Sequence, residues 1–461
     1  MSTAPRRIRA LVGGVIAVAA VAGVALAVPA SWPRVDRNVL SVTADPEAST
    51  SRLACGGATL VLGRDPENVS SLAAAATQRV TVGVSPAAAE AAPGEMAVPD
   101  VPGGPPATSF AAEPTGGART DLAAAGSSTA DDEDLAGFAA AACTPPTMES
   151  WLVAGSGLTG AADLVVIANP GDVASRVDLT VFGAEGSVAP EAGADILVPA
   201  GSQRVVPLAS LALGEANPVV RVTAAQAPVQ ATLQSSLTRT LVPGGIDQSD
   251  ATSRPATQQV IPGIAAAGGP GADTIVRVLA PSDDTTASVT VTEVGASAPT
   301  FAARDLELVA GTPLEVDVES LAAGRYRVDV EAEAPVVASL WTATGVGAGS
   351  DFGWFAAADP LSVPSLFAVA AGPSPRLAIA AGADDATVTV TSDAGEGDAR
   401  EVEVPAGGAV SIAVEPGSVY RIDAGEETIR ANVVYAGDGA VAGYPVVPAD
   451  AAASPVVVRP R

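Results

Sequence analysis

The side chains that most enzymes use for proton transfer and covalent chemistry are scarce in this sequence. Its 461 residues include no His, and all 24 cationic residues are Arg, with no Lys anywhere. Ser-His-Asp and Cys-His arrangements need an imidazole, and Ser-Lys dyads need an amine, so these nucleophilic mechanisms are excluded. Carboxylates are plentiful, at 51 Asp plus Glu, and two of them suffice for glycoside hydrolysis. Sugar platforms also want aromatic rings, and the four Trp and four Tyr are scattered. A carboxylate-dependent glycan hydrolase is therefore only a distant alternative to a non-enzymatic role, and no catalytic residue is assigned.

The remaining constellations are weaker still. Asp283–Asp284 and Asp384–Asp385 fall in equivalent turns, with Asp172 in the matching place upstream. Calcium asks for six or more oxygens from a folded loop, whereas "PSDDTT" and "GADDAT" suit hairpin turns in which Asp bonds its own backbone. The run "DDED" at 131–134 lacks the spacing of an EF-hand loop and reads as solvated. No metal site and no cofactor site is read. Cys55 and Cys143 are an even count, and a single disulfide is expected of them if the chain is exported. The most concentrated feature is "DFGWF" at 351–355, where Phe352, Trp354 and Phe355 gather scarce aromatics. It is either a binding patch for a protein or glycan partner or a plug at a junction between repeats.

The N-terminus points to export. "RRIR" at 6–9 precedes 21 uncharged residues, 10–30, enough to cross a hydrocarbon core with the Arg cluster left in the cytoplasm. The expectation is a single-span anchor in the cytoplasmic membrane with the bulk of the chain extracytoplasmic. The alternative is a cleaved signal and a secreted protein, supported by the small-x-small "ALA" at 25–27. The net charge of −27 repels phosphate backbones and argues against nucleic acid; it serves solubility.

The elements that would position any site are β-strands. A hydrophobic fraction of 48% with only 3% aromatics, together with 47 Gly and 38 Pro, favours Val-rich sheets over helices. Three stretches repeat one template: "ADLVVIANPGDVASRVDLTVFGAEG" (162–186), "ADTIVRVLAPSDDTTASVTVTEVG" (272–295) and "PRLAIAAGADDATVTVTSDAG" (375–395). Each leads through a Gly-containing hairpin to a bend and an inward strand. In that strand Val229, Ala231 and Leu233 alternate with Gln230, Thr232 and Gln234; Val336, Ala338, Leu340 and Ile429, Ala431, Val433 hold the same places later. Period two with one apolar face marks a half-buried strand, and Pro228 or Pro335 fixes its first residue. Two linkers, 238–263 and 342–365, share a Gly-x-Asp step.

The expected fold is mainly β: a transmembrane helix followed by tandem immunoglobulin-like antiparallel sandwiches, with a propeller-like closed assembly as the alternative. The division is a basic segment 1–9, a membrane or signal segment 10–30, an N-terminal β region 31–155 and repeats 156–263, 264–365 and 366–461. Within 31–155, residues 86–142 are poor in large apolar side chains and are expected to be disordered. The C-terminal "PVVVRP" is expected to pair with residues 52–62.

The export segment, "LACGGATLVLG", "ESWLVAG", "IANPGDVASRVDLTVFGAEG" and "VPAGSQRVVPL" together resemble an uncharacterised family of actinobacterial envelope proteins, a domain of unknown function. The resemblance implies a cell-envelope setting and carries no catalytic residues with it. The expected role is a scaffold or accessory factor for surface polysaccharide or protein assembly, with an outward-facing interaction or adhesion module as the alternative.

Overall fold

A computed structural model describes residues 42–44, 48–64, 67–68, 70–86, 89–318, 321–437, 439–449 and 456–458. The protein is mainly β and its sheets are antiparallel. Residues 46–454 hold one compact unit; apart from it, β1 (Val42–Ala44) pairs with the last strand, β34 (Val456–Val458).

Three repeats share one strand plan, in which two sheets face each other over a common core. In the first, β10 (Glu149–Leu152), β16 (Val219–Ala225) and β12 (Ser175–Gly183) lie side by side, and β13 (Gly186–Val188) and β14 (Ile196–Val198) flank β12. The facing sheet runs β15 (Ser202–Pro207), β11 (Leu164–Asn169), β17 (Gln230–Arg239), β18 (Val242–Asp250). The third repeat copies this order with β26 (Ser365–Ala368), β31 (Val419–Asp423), β28 (Ala386–Thr391), β29 (Ala399–Val404) facing β30 (Ala409–Ala413), β27 (Arg376–Ala381), β32 (Ile429–Gly437), β33 (Ala440–Pro445). In the second repeat one strand serves both sheets. The start of β24 (Gly324–Ala343) lies between β19 (Ala256–Ala266) and β21 (Thr285–Glu293), which pairs with β22 (Phe301–Leu308). Its end lies between β20 (Thr274–Leu279), paired with β23 (Leu314–Asp317), and β25 (Phe352–Ala356). Pro335, which cannot donate to a ladder, sits where β24 leaves one sheet for the other.

Alternation explains these strands. In β12, Val177, Leu179 and Val181 are buried while Arg176 and Asp178 are exposed, and "ATVTVT" in β28 follows the same rhythm.

The N-terminal region is a reduced copy of the same plan. β2 (Ser51–Ala54), β7 (Ala107–Ala112) and β6 (Ala92–Met96) make one sheet; β5 (Arg79–Ser85), β8 (Asp121–Asp131) and β9 (Ala136–Cys143) make the other, with a hairpin of β3 (Thr59–Leu62) and β4 (Leu72–Ala76) inserted. The four units pack in a closed cycle. Residues 54–60 of the N-terminal unit meet the first repeat, where Gln234 accepts from Leu60 N and donates to Leu60 O, both at 2.7 Å. Gln203 and Gln248 hold Gly56 O and Gly57 O at 3.2 Å. These amides take the part of a neighbouring strand. The second repeat's Val337 packs with Trp151, Phe182 and Val219 of the first, and the third repeat's Ala378 and Val434 enter the core of the second. Closure comes from Ala123, Ala125, Phe138, Ala140 and Ala142, which join the core of the third repeat beside Phe367 and Tyr435.

At the centre of that cycle stand the last strands of the units. β9 packs on β18, β18 on β25, β25 on β33, and β33 back on β9.

Several expectations change. Residues 86–142 are built into β6 through β9, whose Ala side chains let strands approach closely and borrow large apolar partners from the third repeat. Each repeat starts one strand earlier than its template suggested, at Glu149, Ala256 and Ser365, and "DFGWF" supplies strand β25 instead of a linker. The C-terminal strand pairs with residues 42–44, not 52–62. Gln230, Thr232 and Gln234 are not a solvent face but are about 1% exposed, because the neighbouring unit covers them. The proposed membrane segment 10–30 lies outside the described residues, among which no helix is long and apolar enough to cross a membrane.

Candidate functional site

A pocket of about 220 Å³ opens between the first and second repeats. Its aromatic wall is Trp341 on β24 with Phe352 and Trp354 on β25. Strand alternation sends Phe352 and Trp354 toward the first repeat's core and Phe355 into the second's. Between them Gly353 lets the third repeat approach; a Cβ there would stand 3.2 Å from Val441 O.

Arg277 on β20 closes the pocket floor. It is 2% exposed, and its Nη1 donates to Gly155 O at 2.9 Å and Pro218 O at 2.8 Å, while Nη2 pairs with Glu315 at 2.8 Å. The guanidinium lies 4.6 Å from the Trp354 ring centroid, a cation–π contact. One planar fork thus grips carbonyls of one repeat and a carboxylate of the next, which a lysine ammonium cannot do. Arg327 repeats the device toward the third repeat, donating to Ala381 O and Gly408 O while paired with Asp329.

Asp163 is the pocket's buried acid. Oδ1 accepts from Ser236 N at 3.0 Å and Oδ2 from Ser156 N at 2.7 Å. Burial pushes its carboxyl up to about 7, against the pull of those two N–H groups. Ser235 Oγ, near that carboxylate and 2% exposed, has no hydrogen-bond partner of normal geometry. Asn217, Ser236 and Glu315 complete the polar lining. The set offers stacking surfaces and hydrogen bonds of the kind that hold a ligand.

Behind the pocket, the central strands carry three buried carboxylates. Asp351, just before β25, accepts from Phe138 N on β9 at 3.0 Å, Ile246 N on β18 at 3.1 Å and Val441 N on β33 at 3.4 Å. One side chain of the second repeat therefore ties the other three units. Gly137 makes room: a Cβ on it would lie 2.6 Å from Asp351 Oδ1, at a φ of +148°. Burial raises the Asp351 carboxyl to about 7, opposed by the N–H donors. Asp247 is raised further by complete burial, although Trp354 N donates to it at 2.7 Å; the charge of Asp351 adds to the rise. Asp250 accepts from Ala142 N at 2.8 Å through Oδ2, while its Oδ1 has no partner; burial puts it at about 7. A second recess, about 290 Å³, lies where the chain leaves the four central strands, lined by Pro145, Trp151, Asp250, Ala357 and Pro445.

Cys55 and Cys143 form a disulfide joining the residue after β2 to the end of β9. Of the aromatic patch, Phe352 and Trp354 line the pocket and Phe355 is core. The turn acids do not gather: Asp284 caps Ala310 N and Asp385 caps Ala406 N, in a neighbouring hairpin and not their own turn, and Asp172 pairs with Arg52. Within "DDED", Asp132 and Asp134 pair with Arg64. Among the described residues no group of three or more His, Cys, Asp or Glu is placed to hold a metal ion. Sequence reasoning missed Asp163, Arg277 and Trp341. The Gly-x-Asp step of the two linkers was the available signal for Asp247 and Asp351.

Fold and site together define a multi-unit, mainly β protein with an aromatic recess at a unit junction. The chain belongs to the family of unknown function DUF5719, whose profile matches residues 97–415. No curated protein matches it in sequence.

Proposed function

We propose that the chain is an exported, non-enzymatic component of the cell envelope, anchored in the cytoplasmic membrane by residues 10–30, and that it acts as a scaffold or accessory factor for assembly of surface polysaccharide or protein. In this reading the repeats are immunoglobulin-like sandwiches locked into one platform, and the actinobacterial resemblance of the sequence supports the setting. The observation that carries it is the disulfide. Cys55 and Cys143 are bonded at 0% and 3% exposure, and a stable structural disulfide calls for an oxidising compartment outside the cytosol. The test is membrane fractionation with thiol alkylation, followed by cross-linking in cells. The expected result is membrane-bound protein, both cysteines protected, in a stable complex with envelope components. Recovery in the cytosol with two free thiols would overturn the location; membrane recovery with no cross-linked partner would overturn the scaffold role.

The adhesion alternative has one observation in its favour. Leu158, Leu213 and Leu241, at 48%, 83% and 86% exposure, sit on loops of the first repeat that backbone hydrogen bonds join, and exposed leucines on adjoining loops suit a contact surface. Surface labelling of intact cells without partner capture would favour that role.

A further inference from the structure

We propose that the pocket between the first and second repeats binds one neutral sugar ring of a glycan. This assigns a ligand class to the binding role above and rests on that role.

Four features select the occupant. The volume, about 220 Å³, falls below the roughly 300–1,000 Å³ of sites for drug-sized molecules, so it suits a single ring with the remainder of a chain left outside. Trp341 is only partly buried while Phe352 and Trp354 behind it are closed off. A partly exposed indole can stack on the C–H face of a sugar, an amphipathic surface with a polar rim. The polar lining is of the kind hydroxyl groups use: Asp163 and Glu315 accept, Asn217 does both, and Ser235 Oγ, buried beside the Asp163 carboxylate it helps to stabilise, makes no hydrogen bond of normal geometry. A sugar hydroxyl can give or take a hydrogen bond and so can satisfy it.

Charge disfavours an anionic occupant. An anionic sugar would meet Asp163 and Glu315 in a chain of net charge −27, with Arg277 already committed to Glu315 and two carbonyls. The cation–π place on Trp354 is already taken by Arg277, so an organic cation could stack only on Trp341, and tetramethylammonium is the probe for that case.

The test uses the full-length chain purified in mild detergent. Neutral pentoses, hexoses and N-acetylhexosamines, and their short oligomers, are titrated in, with tryptophan fluorescence and ligand-observed NMR as readouts. At least one neutral sugar should bind saturably. Trp341→Ala should weaken it about tenfold or more, and Ser235→Ala should weaken it by several-fold. Trp151→Phe, in the other recess, should leave it unchanged, and circular dichroism should show each variant folded. The assignment is overturned if no neutral sugar binds the folded protein, if Trp341→Ala leaves binding intact, or if a sugar acid or tetramethylammonium binds the pocket more tightly. None of those outcomes touches the fractionation result, so failure here is distinguishable from failure of the envelope reading.

Discussion

Replacing Asp250 by Asn isolates the cost of a charge at the molecule's centre. Asp250 is 4% exposed, takes one N–H from Ala142 and leaves Oδ1 without a partner. Burial moves its carboxyl from 3.8 to about 7. Between those values the folded chain holds a proton that the unfolded chain has released, so stability falls as pH rises through the window. Above pH 7 the loss is complete. At 1.36 kcal/mol per unit it amounts to about 4 kcal/mol, of which about 3 kcal/mol is lost between pH 5 and pH 8.5. The Asn amide oxygen can still accept from Ala142 N. Its nitrogen takes the place of the unpartnered oxygen at a fixed penalty of about 1–3 kcal/mol, the same at every pH. All other titrating groups are shared, so they cancel in the difference between variant and parent. Urea unfolding at pH 5 and pH 8.5 should therefore show Asp250→Asn gaining about 3 kcal/mol on the parent as pH rises. Parallel pH curves for the two proteins would refute the reasoning and mean that Asp250 is ionised at no cost in the fold.

Asp351→Ala removes the acceptor of three N–H groups from three units, and should cost about 3–6 kcal/mol; hydrogen exchange at Phe138 and Ile246 should accelerate together, and unchanged protection would exclude the tying role. Arg277→Lys keeps the charge but loses the fork, with an expected loss of about 2–4 kcal/mol in denaturant titration. Reducing Cys55–Cys143, which spans 88 residues, should lower stability by about 5 kcal/mol on the loop-entropy account, read as a drop in the urea midpoint on adding reductant.

The strands were legible because Val, with Leu in β12, alternates with Thr and other polar residues through β12, β21 and β28, and a period of two, written three times over, fits a pleated sheet and no helix. The disulfide was legible from the even cysteine count together with the expectation of export. What escaped was everything set by a neighbour. Strands β8 and β9, with "LAAAGSSTA" and "AGFAAAAC", look too weak to order themselves, and in isolation they would be; Phe367, Leu366 and Tyr435, more than 220 residues further along the chain, supply their apolar contacts. Gln230 and Gln234 read as solvent-facing because nothing local says that residues 55–60 will lie on them. The aromatic pocket escaped for the same reason, since Asp163, Arg277 and Trp341 are far apart in sequence and share no spacing.

The single carboxylate of Asp351 means that these repeats are not beads that can be cut apart. The family match ends at 97 and 415, and a fragment trimmed to those limits would lose β2 with Cys55 on one side and β32 with β33 on the other. Asp351 would be left without Val441, Cys143 without its bond, and the alanine face of β9 without its cover. Expression trials that follow the profile's edges should yield aggregates, while fragments ending near 48 and 449 keep every stave of the cask.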